Sequence, residues 1–181
     1  MKKYAKSLTL LMSFLLAISF LSISTAGAAQ QMPGELQAVA DKAVNAVTNY
    51  AKKLDGAWGD QHAALVESKK GGDFEGYESM QAVLIGFLKE SGAAYLYALY
   101  PSGSVDTAPF TITVDGSEDP DDYGTENEWE AGFAKAWKGT PAAGDEVWKD
   151  DDGCTLLSAY APIRDSKGNV VAILGVDYTA P

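Results

Sequence analysis

The C-terminal part of the chain is the feature that most constrains its fold. Two apolar runs, TLLSAYAPI from Thr155 and VVAILGVDY from Val170, flank the polar segment RDSKGN. Apolar runs rich in β-branched and aromatic residues on either side of a short polar turn predict two antiparallel strands. Gly168 lies in this turn, where glycine adopts a positive φ angle easily. Such a hairpin needs a second layer of structure, because at least one of its faces is apolar.

Two further strands are predicted earlier in the chain. The segments AAYLYALYP and APFTITVDG are rich in Tyr, Ile, Val and Thr, and a turn from Pro101 to Ser104 separates them. A short strand is also predicted in EVWKD, from Glu146 to Asp150. With the C-terminal hairpin, these segments predict an antiparallel sheet of four or five strands.

A long helix is predicted before the strands. Apolar residues recur at spacings of four and three, at Leu36, Ala40, Ala43, Val47, Tyr50 and Leu54. This is the stripe of an amphipathic helix, and the pattern predicts that it continues to about Ser68 despite Gly56 and Gly59. A helix of that length must lie along a sheet or a partner helix.

Two shorter helices complete the predicted elements. Residues Tyr77 to Glu90 form an apolar stripe that Ser91 and Gly92 end. A later helix is predicted from Thr125, because Glu128 three residues on resembles a capping box. The order of elements predicts an α+β fold in which the long N-terminal helix covers one face of the sheet.

The N-terminus has the pattern of a secretory signal peptide. Lysines precede an apolar run from Leu8 to Ile23, and the small residues Ala26, Gly27 and Ala28 follow it. The run is short for a bilayer span, which needs about 20 apolar residues. We predict a signal peptide at residues 1–28 and one exported domain at residues 29–181, periplasmic or secreted. An uncleaved membrane anchor is the alternative.

Composition narrows the function classes. The 14 basic and 25 acidic residues give a formal net charge of −11, which opposes binding to nucleic acid. The single cysteine, Cys154, forms no internal disulfide and is expected to be partly buried, and the single histidine, His62, is expected at a polar helix position. Motifs for a nucleophilic serine, a zinc site or a phosphate-binding loop are absent from the sequence. We therefore predict neither an enzyme nor a cofactor.

The strand and helix segments together resemble a known family. The run YLYALYP, then FTITVDG, an acidic loop, a helix, a tryptophan, and SAYAPIRDSKGNVVAILGVDY are similar to a Cache domain, the extracytoplasmic PAS-like sensor module of bacterial chemoreceptors and sensor kinases. The resemblance extends from about Leu36 to Tyr178. It implies a five-stranded antiparallel PAS-like sheet with a long N-terminal helix behind it and a small-molecule pocket on the other face.

The sequence departs from the family pattern after its last strand. Family members usually continue into a transmembrane helix and a cytoplasmic output module, whereas this sequence ends at Pro181. We therefore expect a stand-alone sensor that signals through a separate membrane partner or sequesters its ligand.

Asp177 is the leading candidate for ligand binding. Side chains alternate along a strand, so Val171, Ile173, Gly175 and Asp177 share one face, and Gly175 leaves space beside the carboxylate. The carboxylate could pair with an ammonium group, and the resemblance implies that role for an aspartate in this strand. The alternative is a strand-end residue in water.

Further candidates lie on the other segments. Ser158 and Tyr160 offer hydroxyl groups from the neighbouring strand, and the resemblance places Tyr160 in the pocket wall. The weaker candidates are Asp115, Tyr97, Trp129 and Trp148. The tryptophans could stack on a ligand or simply cap the core.

Three functional hypotheses follow. The first is a binding module for a small polar metabolite, such as an amine, amino acid or carboxylate, and the single arginine, Arg164, favours cationic or zwitterionic ligands. The second is an interaction protein that dimerises through its N-terminal helix, with a vestigial pocket. The third is a calcium-dependent secreted protein, because Asp119, Asp121, Gly124 and Glu130 are spaced partly like a calcium loop, although Tyr123 replaces an expected carboxylate.

Overall fold

The computed structural model describes residues 33–181. The predicted signal peptide, residues 1–28, lies outside these residues. Among the helices described, none combines the length and the apolar character that crossing a bilayer requires.

The elements follow the predicted order, with helices early and strands late. The helices are α1 (Gly34–Leu54), α2 (Ala57–Ser68), α3 (Tyr77–Ser91) and α4 (Ala131–Trp137), with a 3₁₀ turn at Gly71–Asp73. The strands are β1 (Tyr95–Pro101), β2 (Phe110–Asp115), β3 (Glu126–Asn127), β4 (Ala142–Lys149), β5 (Thr155–Arg164) and β6 (Val170–Thr179). This order confirms the predicted α+β class.

All strands join one antiparallel sheet in the order β3-β2-β1-β6-β5-β4. The predicted C-terminal hairpin is confirmed: β5 and β6 pair from Leu156 opposite Thr179 to Arg164 opposite Val170. Gly168 has a φ angle of 86° in the turn, as the sequence suggests. The sheet has six strands rather than the predicted five, because the two-residue strand β3 pairs with β2.

Helices α1, α2 and α3 pack on one face of the sheet, which we call the α1 face. The predicted stripe of α1 faces the strands, and Ala43, Val47 and Leu54 are fully or almost fully buried there. They contact residues of β5 and β6 such as Ala161 and Leu174 in one continuous core. Burying a Val or Leu side chain contributes about 1.5–3 kcal/mol, so this stripe fixes the helix against the sheet.

The burial of the stripe also bears on dimerisation. The apolar residues of α1 pack within their own chain. The outward side of the helix carries polar residues such as Asp41, Lys42 and Asn45. The stripe is therefore not exposed to a second copy. Dimerisation through α1 stays a prediction. The apolar stripe that suggested it is buried within the chain.

The long N-terminal helix is shorter than predicted, because it ends at Leu54 and α2 begins at Ala57. Gly56 between them has a φ angle of 85°, and its N–H donates to the carbonyl of Arg164 at 2.9 Å. A Cβ atom at Gly59 would lie 2.1 Å from the same carbonyl oxygen. The helix breaks where the chain meets the β5–β6 hairpin, and this tertiary contact acts together with the low helix propensity of glycine.

The helix predicted from Thr125 also begins later, at Ala131. Residues Glu126 and Asn127 pair with β2, and the carbonyl of Thr125 accepts a hydrogen bond from the N–H of Ile112 at 2.8 Å. Glu130 before the helix is extended. Pairing with the sheet edge therefore replaces the capping box that the local sequence suggests.

Two single residues lie elsewhere than expected. His62 is fully buried rather than a polar surface position, and its Nε2 is 2.7 Å from the hydroxyl of Thr113. Burial lowers the pKa of His62 to about 4. Cys154 is exposed rather than partly buried.

Candidate functional site

The second face of the sheet carries α4, and we call it the α4 face. Alternation along the strands places Tyr97, Ser158, Tyr160, Gly175 and Asp177 on this side. The strand register makes them neighbours, because Gly175 pairs with Tyr97 on one side and with Tyr160 on the other. Asp177 pairs directly with Ser158. The predicted alternation around Asp177 is confirmed.

Gly175 makes room for an aromatic ring. A Cβ atom at this position would lie 2.4 Å from Cε2 of Tyr97, so the Tyr97 ring lies over the glycine. The space expected beside Asp177 is therefore partly filled by a residue of the chain. The ring brings the Tyr97 hydroxyl to the carboxylate, where it donates a hydrogen bond to Oδ1 of Asp177 at 3.2 Å.

Asp177 is a buried carboxyl group. Its exposed fraction is 1%, so the solvated alternative is wrong. Burial raises the pKa of Asp177 to about 7, and hydrogen bonds from Ser158 and Tyr97 oppose the shift. Across residues 33–181, none of the ion pairs that the structure forms includes Asp177. At neutral pH the site therefore holds a carboxyl group whose pKa is close to the pH of the solution. Among the described residues this group has no cationic partner.

A second carboxyl group lies near Tyr160. The Tyr160 hydroxyl donates to Oε1 of Glu130 at 3.1 Å. Burial raises the pKa of Glu130, the bond from Tyr160 lowers it, and Asp145 and Glu146 raise it further. Gly132 leaves room for the Tyr160 ring, because a Cβ atom at this position would lie 2.8 Å from the ring.

The sequence suggests Glu130 only as a calcium ligand, and its contact with Tyr160 is not evident from the local pattern. Its one local signal is its place directly before the apolar segment AGFAKAW, where the true helix begins. In an acidic chain this signal does not distinguish Glu130 from its neighbours.

The two tryptophans border this region and are partly exposed, Trp129 at 39% and Trp148 at 40%. Trp148 donates from Nε1 to the Ser158 hydroxyl at 2.9 Å and stacks on Tyr95 with the ring centroids 6.4 Å apart. Trp129 donates from Nε1 to the carbonyl of Val105 at 2.9 Å. Both rings are thus held by hydrogen bonds at the surface of the domain.

Two cavities on the α4 face bring all the predicted site residues together. The first cavity, of about 540 Å³, is lined among others by Tyr97, Glu130, Trp129, Trp148, Ser158 and Tyr160. The second cavity, of about 530 Å³, is lined among others by Tyr97, Asp115, Ser117, Asp121, Trp148 and Asp177. Tyr97, Asn127 and Trp148 line both cavities and form their common wall.

Asp115 holds the backbone of the loop beside the second cavity. Its Oδ1 accepts the N–H of Ser117 and its Oδ2 accepts the N–H of Asp121, each at 2.8 Å. Both carboxylate oxygens thus hold the acidic loop after β2. Asp115 shapes the cavity through this loop.

Two polar atoms of the wall are buried without a partner in the described chain. They are the hydroxyl of Ser117, a residue with an exposed fraction of 6%, and Nδ2 of Asn127. Ser117 lines the second cavity and Asn127 lines both. Buried polar groups are normally hydrogen-bonded, so these atoms mark positions for a ligand or for water.

The calcium hypothesis receives no support from the geometry. Within residues 33–181, no three or more His, Cys, Asp or Glu side chains are gathered so that they could hold a metal ion. The spacing of Asp119, Asp121 and Glu130 in sequence does not bring their carboxylates together.

Neither a protein-family model nor a protein of curated function matches the chain. Solved structures do match. The chain is similar to chemoreceptor sensory domains. One is a methyl-accepting chemotaxis protein X, at 20% identity and a TM-score of 0.39, covering 80% of this chain and 60% of that one.

Two others come from Campylobacter jejuni. The periplasmic sensory domain of the chemoreceptor Tlp1 matches at 14% identity and a TM-score of 0.41, over 79% of this chain and 61% of that chain. The sensory domain of Tlp3, with isoleucine bound, matches at 12% identity and a TM-score of 0.39, over 82% and 64%. The chain thus spans less than two thirds of these structures, and at these identities the similarity is one of fold alone.

Proposed function

We propose that the protein is an extracytoplasmic binding module for a small molecule with a cationic amino group, which pairs with Asp177. The buried Asp177 carboxyl group in a cavity wall, with no cationic partner among the described residues, is the observation that supports this most directly. An isolated buried carboxylate is costly, so a site that retains one favours a ligand that brings the opposite charge.

The charge around the cavities supports the same choice. The residues that line the first cavity include Glu128, Glu130, Asp145 and Glu146 but no Lys, Arg or His. The second cavity is lined by seven aspartates, with Lys149 as its only basic residue. An anionic ligand would meet repulsion here, whereas a cation enters a favourable potential.

Aromatic side chains suit the rest of such a ligand. Tyr97, Tyr160, Trp129 and Trp148 line the first cavity. Aromatic rings attract cations through their faces and exclude water from apolar methylene groups. The hydroxyl groups of Tyr97 and Ser158 beside Asp177 can orient the bound amino group.

The cellular part of the proposal rests on the N-terminal sequence. The signal-peptide pattern at residues 1–28 supports export, and we propose that the exported domain passes ligand occupancy to a separate membrane partner. No specific contact in the described structure favours the rival of a dimeric interaction protein, because the α1 stripe is buried in its own core.

A thermal-shift screen of the purified protein tests the proposal. Amines, amino acids, small carboxylates and purines are compared, and a ligand at 100 times its Kd adds about 2.7 kcal/mol to the free energy of unfolding. We expect stabilisation by amines that Asp177→Asn abolishes and Asp41→Asn, an exposed position on α1, leaves intact. Stabilisation by carboxylates alone, or an unchanged amine affinity in Asp177→Asn, would contradict the proposal.

A further inference from the structure

We propose that the ligand carries two cationic groups, one for Asp177 and a second for Glu130, so that the two cavities are halves of one site for a linear diamine. This inference rests on the proposed function and deepens it. The local sequence around Glu130 gives no sign of such a site.

The two carboxyl groups have matching surroundings. Each accepts a hydrogen bond from a tyrosine hydroxyl, Asp177 from Tyr97 at 3.2 Å and Glu130 from Tyr160 at 3.1 Å. Neither takes part in an ion pair that the described residues form. Tyrosine hydroxyls can orient a carboxylate but bring no charge to neutralise it.

The register of the sheet sets the spacing of the two tyrosines whose hydroxyl groups contact these carboxyl groups. Tyr97 on β1 and Tyr160 on β5 flank Gly175 on the central strand β6, so their Cα atoms are two strand spacings apart, about 10 Å. Both rings lie on the α4 face, and Tyr97, Trp148 and Asn127 line both cavities. Because these three residues belong to both cavity walls, a short flexible chain lying beside Tyr97 is the ligand shape that we propose for the two carboxyl groups.

The two half-sites also share an electrostatic environment. Burial, followed by the charges of Asp177, Tyr160 and Glu130, raises the pKa of Tyr97 well above its ordinary value. A ligand with one ammonium group would neutralise one carboxylate and leave the other uncompensated. A second ammonium group would neutralise both.

An amino acid fits this arrangement less well. Its carboxylate would need a cation or several free donors, and the first cavity has no basic residue in its wall. Lys149, at the wall of the second cavity, is exposed and lies among seven aspartates. Ser117 and Asn127 offer buried atoms without partners, but neither supplies a positive charge.

Isothermal titration of the purified protein with a chain-length series tests the inference. Linear α,ω-diaminoalkanes are compared with n-alkylamines of the same length. We expect the best diamine to bind at least about tenfold more tightly than its matched monoamine, with an optimum at one chain length. Equal affinities would overturn the two-cation inference but leave the proposed function standing. If neither series binds, the proposed function fails as well.

A variant pair locates the second half-site. Glu130→Gln removes the charge but can still accept the Tyr160 hydrogen bond, and we expect it to reduce diamine affinity to the monoamine level while monoamine affinity stays within about twofold. Glu118→Gln removes the same charge from an exposed loop residue outside both cavity walls, so the diamine preference should remain. A preserved preference in Glu130→Gln would overturn the assignment. The wild-type comparison stands even if this variant fails to fold.

Discussion

Asp177 and Tyr97 form a buried contact in which neither side chain brings a positive charge. In the folded protein burial raises the pKa of Asp177 to about 7 from its ordinary value of 3.8. The folded state therefore retains a proton, between about pH 4 and pH 7, that the unfolded state has released. The protonated Asp177 carboxyl group therefore makes a contribution to the stability of the fold. This contribution is complete below about pH 4 and is lost as the pH rises through 7.

Asp177→Asn should therefore stabilise the ligand-free protein at alkaline pH. The amide keeps a hydrogen-bonding group of the same shape without the cost of a buried charge. In denaturant unfolding, the free energy of unfolding of Asp177→Asn should exceed that of the wild type. The difference should grow from pH 4 to pH 7 and level off at about 2–4 kcal/mol.

The exposed Asp41→Asn variant serves as the control and should show no such trend. His62 does not distort the comparison, because its lowered pKa acts equally in variant and wild type. A difference that is independent of pH would contradict the account of Asp177.

Strand periodicity in the sequence predicts which candidate site residues share one face of the sheet. Period-two alternation places Asp177 and Gly175 on one face once β6 is recognised as a strand. Glu130 could not be found in this way, because its burial depends on β4 and α4 meeting across the sheet. Nor could the sequence show that Tyr97 fills the space above Gly175, since the two belong to different strands.

At the scale of elements, the contact between α2 and the β5–β6 hairpin organises the N-terminal layer. Oδ1 of Asp55 accepts the N–H of Arg164 at 2.8 Å, and Oδ1 of Asp60 accepts the N–H of Ser166 at 2.9 Å. Gly59 lets the helix approach the hairpin so closely. Gly56 at the helix break and Gly59 in the first turn of α2 thus both lie where the helical layer meets the hairpin.

Gly59→Ala should consequently destabilise the fold. The added Cβ would lie 2.1 Å from the carbonyl oxygen of Arg164, and both partners are backbone that cannot move aside cheaply. We expect a loss of about 2–4 kcal/mol in the free energy of unfolding, measured by urea denaturation.

Gly86→Ala is the matched control, because Gly86 lies in α3 with open space around it. There alanine should stabilise the protein by about 0.5–1 kcal/mol through helix propensity. Similar effects at the two glycines would contradict the close packing of α2.

The elements differ in how far local sequence determines them. α3 and the C-terminal hairpin follow their apolar periodicity, since local preference and tertiary packing agree there. The break at Gly56 and the late start of α4 follow from long-range pairing with Arg164 and with β2, which a local pattern does not contain. Pairing with β2 overrides the local helix signal at Thr125, whereas the contact with Arg164 acts together with the low helix propensity of Gly56.

The whole molecule is acidic, with a formal net charge of −11 for the full sequence. A cationic ligand is attracted by this field as well as by the groups that it contacts, and salt screens the more distant part. Titration in 20 mM and 200 mM sodium chloride should therefore show weaker binding at the higher salt, by about threefold for a monoamine and more for a diamine. Affinity that is independent of salt would contradict a charged ligand.

The two-sided strands have a practical consequence for protein engineering. On β5 and β6, residues 158, 160 and 177 face the cavities while their neighbours 157, 159 and 176 lie buried elsewhere in the fold. A mutagenesis library confined to the cavity-facing positions can alter recognition while the helical layer keeps its packing partners. Recognition and the packing of the helical layer can thus be varied at alternate positions of the same two strands.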